Sequence, residues 1–159
     1  MCLDPILEYG AEALRSAASG QMSRAFEETV LAIIVTTGIA SILLTKDHVI
    51  DYNTGLAHAI FYTLTSYPQI ESSHLHGEVV SLGVLLLLLV DGQQEMFERI
   101  YRFSRSVKLP VCLSDVDIPD SEQDHIIDRT LEAKDLKHYP YVVTRPMLED
   151  AFRSLNALL

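Results

Sequence analysis

An all-α fold, a helical bundle of about seven helices, is what three observations predict. Apolar residues recur at helical spacing through most of the chain. Capping residues and prolines open successive segments. No two alternating segments could pair as strands, and an isolated buried strand would leave its backbone groups unsatisfied.

Each element follows from local signals. Asp4-Pro5 opens a first helix, with Ile6, Leu7, Leu14 and Ala17 on its apolar side. After Ser19-Gly20 a longer helix starts near Ser23 and runs through Ile33, Ile34 and Ile42. Gly38 inside it is a place for a neighbouring backbone to approach. The β-branched run Ile33 to Thr37 has strand character, but with no partner strand it is assigned to the helix.

A third helix begins at Asn53 or Thr54 and ends before Pro68. The fourth opens around His74 to Gly77 and ends at Asp91-Gly92. From Val79 onward it is apolar on all sides, which predicts the centre of the bundle. A fifth carries Phe97, Ile100, Tyr101 and Ser104 and stops at Leu109-Pro110. Ser121-Glu122-Gln123-Asp124 reads as a capping box for a sixth helix with Ile126, Ile127 and Leu131. The last is capped by Thr144, has Pro146 in its first turn, and turns Leu148, Phe152 and Leu155 inward.

Composition narrows the function classes. A chain of 159 residues with 48% hydrophobic content is expected to form one domain, 1–159, with a sizeable core. With 12 basic against 22 acidic residues the formal charge is −10, which disfavours nucleic acid and anionic membrane surfaces as partners. The apolar stretches Ala32 to Leu44 and Val79 to Val90 stop at Lys46-Asp47 and Asp91-Gly92, short of the roughly 20 residues a membrane span needs, and are expected to be core helices. No basic n-region or cleavage pattern opens the chain. Cys2 and Cys112 form neither a Cys-x-x-Cys pair nor a disulfide framework, so a reducing cytoplasm is the expected location.

His58 lies in Thr54-Gly55-Leu56-Ala57-His58-Ala59-Ile60. His76 lies in His74-Leu75-His76-Gly77-Glu78-Val79-Val80-Ser81-Leu82-Gly83. Each sits near a glycine at the start of a long apolar helix. Taken singly, such a histidine is a core or interface residue. Two of them at the same kind of position make a candidate metal site, because imidazole is a common ligand of divalent ions. Gly77 would let the chain approach an ion, and Glu78 suits a helix N-terminus without a catalytic role. His74 is expected in a solvent-exposed loop, and His48, His125 and His138 on the surface. Arg99, Arg102 and Arg105, with Glu95 and Glu98 nearby, read as a solvated stripe. Neither a G-x-S-x-G elbow nor a Cys-His signature is present, so hydrolase chemistry has no support.

These two segments carry a resemblance to the C-terminal, metal-binding domain of the glycerol dehydrogenase branch of the iron-containing alcohol dehydrogenases. Gly55-Leu56-Ala57-His58-Ala59-Ile60 is similar to that family's G-L-A-x-H-A-I segment, and His76-Gly77-Glu78 to Gly83 to its H-G-E-x-V-x-x-G segment. Leu64-Thr65-Ser66-Tyr67-Pro68, Leu109-Pro110 and Asp115 to Ile118 extend the similarity from about Ala32 to the C-terminus. Dehydroquinate synthase shares an H-G-E-x-V-like motif, but the Leu64 to Pro68 and Leu109-Pro110 stretches favour the glycerol dehydrogenase branch.

The resemblance implies a helical domain of the dehydroquinate synthase-like fold, with His58 and His76 as two ligands of zinc, or iron as the alternative. It implies a polyol or other alcohol substrate whose hydride passes to NAD. The family's third ligand is an upstream aspartate, which nothing here matches; Asp4 lies too close to His58 to be its equivalent. None of the seven glycines stands in a G-x-G arrangement, so the dinucleotide-binding domain, and with it NAD, is expected to lie outside this chain. Phe61 stands where the family commonly has a second histidine. Catalytic residues are therefore left unassigned, and the chain alone is expected to be inactive. The alternative is a non-enzymatic helical association module, pairing with a separate nucleotide-binding chain or with itself.

Overall fold

The computed structural model describes residues 3–44, 55–137 and 139–158. Cys2, His48, His138, the Lys46-Asp47 stop and the Asn53 or Thr54 caps lie outside the described residues. Every regular element among the described residues is helical, as the missing strand pairs predicted. Two compact units are present, Met1–Asn53 and Thr54–Leu159.

In the first unit α1 (Leu3–Ser19) packs against α2 (Arg24–Leu31), which continues through a π-helical turn, Ala32–Thr36, into α3 (Thr37–Leu44). Gly20 at φ +66° ends α1, with its N–H and that of Gln21 donating back to Ala17 and Ser16. Ser23 caps α2 by accepting from the Phe26 N–H at 3.2 Å. Ala13, Ala25 and Ala32 are buried between the helices, where small side chains allow close packing.

The β-branched run is helical, as assigned, but wider than an α-helix. Adjacent β-branched side chains crowd the preceding turn, and a π turn relieves that crowding; the Thr37 hydroxyl donates to the Ala32 carbonyl at 2.9 Å across it. Ala32 to Leu44 is not the core helix expected. Ile34 is 67% exposed and Ile42 76%, with Leu31, Ile33, Val35, Ile39 and Leu43 also exposed. The physical reason is that α1 covers the side carrying Ala25 and Ala32, and one helical neighbour cannot cover a helix that is apolar all round. Because the helix starts at Arg24, Arg24–Leu43 is long and apolar enough to cross a membrane by length and composition, with mean hydropathy 1.7, which corrects the shorter stretch read from Ala32. Apart from its chain neighbours and the backbone of its own helical turns, nothing described lies within 4 Å of a Cβ placed at Gly38, so the close backbone approach expected there is not seen among the described residues.

The second unit is built on α6 (His76–Val90), against which α4 (Leu56–Leu64), α7 (Gln94–Val107) and α9 (Arg145–Asn156) pack. α6 is the centre its all-round apolar sequence predicts: Val79, Leu82, Leu85 and Leu86 are completely buried. Each such leucine contributes on the order of 1.5–3 kcal/mol, far more than helix propensity does, so packing rather than local preference holds this helix. Around it α8 (Gln123–Leu131) supplies Ile126 and Ile127, and α9 supplies Leu148, Phe152 and Leu155 as expected. Single 3₁₀ turns at Leu113–Val116, Asp120–Glu122 and Lys134–Leu136 join the helices. Lys108, left-handed at φ 61°, closes α7 just before the expected Leu109-Pro110 stop, and the Leu109 N–H donates to Ser104.

Two local expectations are corrected. The Ser121 to Asp124 box does not form: α8 follows a 3₁₀ turn with no side-chain cap, and the Glu122 carboxylate instead accepts from the Tyr67 hydroxyl at 2.7 Å. A short helix, α5 (Pro68–Ser73), occupies the stretch between the expected third and fourth helices, to which the sequence assigned no helix, with Pro68 at its start. Thr144 occupies the N-cap of α9, without a side-chain hydrogen bond.

Gly83 sets how closely α6 approaches α4. A Cβ there would fall 2.5 Å from the Ala57 carbonyl oxygen and 2.9 Å from the Ala57 Cα, and neither backbone atom can move independently of its helix. At Gly77 a Cβ would meet nothing within 4 Å. Gly83→Ala is therefore expected to destabilise the chain by about 1–3 kcal/mol through overpacking. Gly77→Ala should stay within about 1 kcal/mol of the parent, on the stabilising side. Urea denaturation followed by circular dichroism measures both; a silent Gly83→Ala would contradict the contact.

Candidate metal centre

Gly55, in extended backbone, precedes α4, and its carbonyl accepts from the Ala59 N–H at 2.9 Å, which places His58 in the first turn. Leu75 precedes α6, and its N–H donates to Glu78 Oε2 at 2.9 Å. Glu78 thus serves as a helix-opening residue and His76 begins the helix. The α4–α6 packing then brings the two imidazoles together, with ring centroids 5.9 Å apart and planes tilted 46°.

A fit to one cation can be judged from bond lengths. Metal–nitrogen distances of about 2.0–2.1 Å put two imidazole centroids bound to one tetrahedral ion roughly 5 Å apart. The observed separation is wider by just under 1 Å. The two imidazoles are donors of the type a divalent ion takes. Among the described residues no group of three or more His, Cys, Asp or Glu side chains could hold a metal, so the pair is one donor short of the usual three protein ligands.

Electrostatics favour the neutral, metal-ligating form of His58. Burial holds His58 below its ordinary value; the nearby His76 adds to this, and Asp135 opposes it. His58 also stands in the first turn of α4, where the partial positive charge of the helix N-terminus disfavours imidazolium.

Aromatic rings complete the surroundings. Phe61 meets His76 edge-on at 4.3 Å between centroids, and Tyr62 lies 6.3 Å from His58. His58, Phe61 and Tyr62 share one face of α4 through their three- and four-residue spacing. Tyr62 went unnoticed in the sequence, although its position four residues after His58 was the available signal.

The segment leading to His76 is tied down from outside α6. His74 is a correction: its side chain is only 13% exposed, not free in solvent. Its Nε2 lies 3.4 Å from Asp117 Oδ2, within ion-pair reach but without hydrogen-bond alignment, and its Nδ1 is 4.0 Å from Glu78 Oε2. Gln69 donates to the Asp117 carbonyl at 2.9 Å. Tyr67 donates to Glu122, and burial together with that hydrogen bond pushes its phenol up to about 12. His125, Arg99, Arg102 and Arg105 are exposed as expected. Cys112 is buried beside Ser114.

Fold and site together describe an all-helical domain with a two-histidine centre at the N-termini of two packed helices. No protein-family model matches the chain. Its homologues are glycerol dehydrogenases, and the match is consistent with a C-terminal domain of that family. It is 29% identical over 164 residues to glycerol dehydrogenase of Thermotoga maritima, covering 99% of this chain and 41% of that protein. It is 28% identical over 166 residues to glycerol dehydrogenase of Citrobacter freundii, covering 99% and 42%. The crystal structure of a probable glycerol dehydrogenase from Sinorhizobium meliloti 1021 superposes with a TM-score of 0.79 at 27% identity, over 99% of this chain and 43% of that one. The chain thus spans less than half the length of the relatives it matches.

The Tyr67 to Glu122 tether has a pH signature. A phenol whose folded value lies above its unfolded value of 10 contributes stability that is complete below pH 10 and lost as pH rises toward 12. Unfolding free energy of the parent should fall across that window more steeply than that of Tyr67→Phe. Ultraviolet absorbance of phenolate formation should show one fewer late-titrating tyrosine in Tyr67→Phe than in the parent, where burial also pushes the Tyr139 and Tyr141 phenols up.

Proposed function

We propose that this chain is the metal-holding helical domain of a polyol dehydrogenase, with His58 and His76 as two ligands of a divalent cation, zinc or iron. The observation that carries the reading is the convergence of the two imidazoles, 5.9 Å apart, from helices whose sequence segments resemble those of glycerol dehydrogenases.

Bound between the rings, such a cation would supply Lewis acidity to an alcohol oxygen, so that its carbon can release hydride. The residues of this chain bind and orient. His58 and His76 present their ring nitrogens, Phe61 meets the His76 ring edge-on, and the His74, Gln69 and Tyr67 contacts fix the backbone ahead of α6. In this proposal the third metal donor and the nicotinamide-binding part belong to a portion of protein outside these residues. The greater length of the relatives supports that division.

Isothermal titration with zinc should show one site in the parent chain and no measurable site in His58→Ala or His76→Ala. Unchanged binding in either variant overturns the ligand assignment. The purified chain is expected to show no NAD-dependent glycerol oxidation, and turnover by it would overturn the placing of the nucleotide site elsewhere.

A second reading, a helical association module, is supported by the exposed apolar residues between Leu31 and Leu43. If it is right, light scattering over a concentration series shows self-association, and Ile34→Glu with Ile42→Glu weakens it at least tenfold. A clean monomer at high concentration counts against it.

A further inference from the structure

The candidate centre has an electrostatic deficit. Both ligands are imidazoles, which bring no negative charge, and both stand in the first turn of a helix, where the backbone contributes about half a positive charge at each N-terminus. A dication placed there would meet positive potential from two helices and receive no compensating charge from its ligands. Among the described residues no carboxylate completes a set of three donors.

One carboxylate is nevertheless built into the surroundings. Asp135 is only 8% exposed, a burial that aspartate rarely tolerates without a charged or hydrogen-bonding counterpart. It sits in the single 3₁₀ turn Lys134–Leu136, and that turn packs against α4, the helix bearing His58. Leu136, next in the turn, packs on the hydrophobic core, which fixes the turn in place. Tyr139, three residues past Leu136, lies 3.7 Å from a Cβ placed at Gly55, so this stretch packs at the end of α4 that carries His58.

Resting on the proposed metal site, we infer that Asp135 is a positioning residue whose buried negative charge draws a divalent cation to the His58 and His76 imidazoles without itself ligating the ion. It acts through space from the turn that packs against α4 and neutralises part of the charge that the two helix N-termini and the cation place together. Carboxylates outside the ligand shell commonly change metal affinity by about 10–100-fold, and that is the range expected here.

Cobalt(II) is the probe, read by its d–d absorption, with helical content of every variant checked by circular dichroism. The parent should bind cobalt(II) with nitrogen-ligand bands. Asp135→Asn, which keeps the shape and removes the charge, should bind at least tenfold more weakly with bands at the same wavelengths, because the inner ligands are unchanged. Asp135→Glu, which keeps the charge, should stay within about threefold of the parent. If Asp135→Asn does not fold, Asp135→Ser replaces it with the same expectation. Folded neutral variants that bind as tightly as the parent overturn the inference while leaving the histidine site standing. So does an Asp135→Glu as weak as Asp135→Asn, since a packing role and not charge would then be at work. Shifted bands in Asp135→Asn would make Asp135 an inner ligand and overturn the through-space role. A parent chain with no cobalt(II) bands overturns the metal-site reading itself, and the role of Asp135 falls with it.

Discussion

The contact of Gly83 with Ala57 is the constraint on which the rest of the second unit depends. Where a Cβ would sit 2.5 Å from a carbonyl oxygen, only the absence of a side chain lets α6 lie so close to α4. Ala57 immediately precedes His58, and Gly83 lies two helical turns after His76. Close approach at that point therefore governs how far apart the two imidazoles stand at the helix N-termini. A wider crossing would separate the rings before any other interaction could hold them.

Burial and function divide along α6. Its apolar length from Val79 onward is packed on several sides and anchors the unit, while its first residues, His76 and Gly77, remain exposed. A rigid helix with an accessible, positively polarised N-terminus holds the side chains of its first turn in fixed geometry while leaving them open. The preceding segment is restrained through its own partners: Tyr67 by Glu122, Gln69 by the Asp117 carbonyl, His74 by the Asp117 carboxylate. These contacts connect residues about 43 to 55 positions apart, so the order of His76 depends on tertiary structure.

The first unit shows the opposite balance. Ala13, Ala25 and Ala32 make a narrow seam, and the broad apolar side chains of the following helix face outward. An all-round apolar sequence predicts burial only when enough neighbours surround it. The same pattern that placed Val79 to Val90 correctly at a centre misplaced Ala32 to Leu44, because hydrophobicity states what a helix would bury and not what is present to cover it.

The sequence by itself determined the helical class, the central position of α6, the inward set Leu148, Phe152 and Leu155, and the two histidines worth pairing. All of these rest on periodicity, capping chemistry or motif, which are local in the chain. Tertiary structure decided that Glu122 would serve Tyr67 rather than cap α8, that His74 would be drawn against Asp117, and that Phe61 would brace His76. It also set Asp135, far along the chain from His58, on the turn that packs against α4. Such pairings join residues that no local rule relates, and the energy that fixes them comes from the burial of helices around α6.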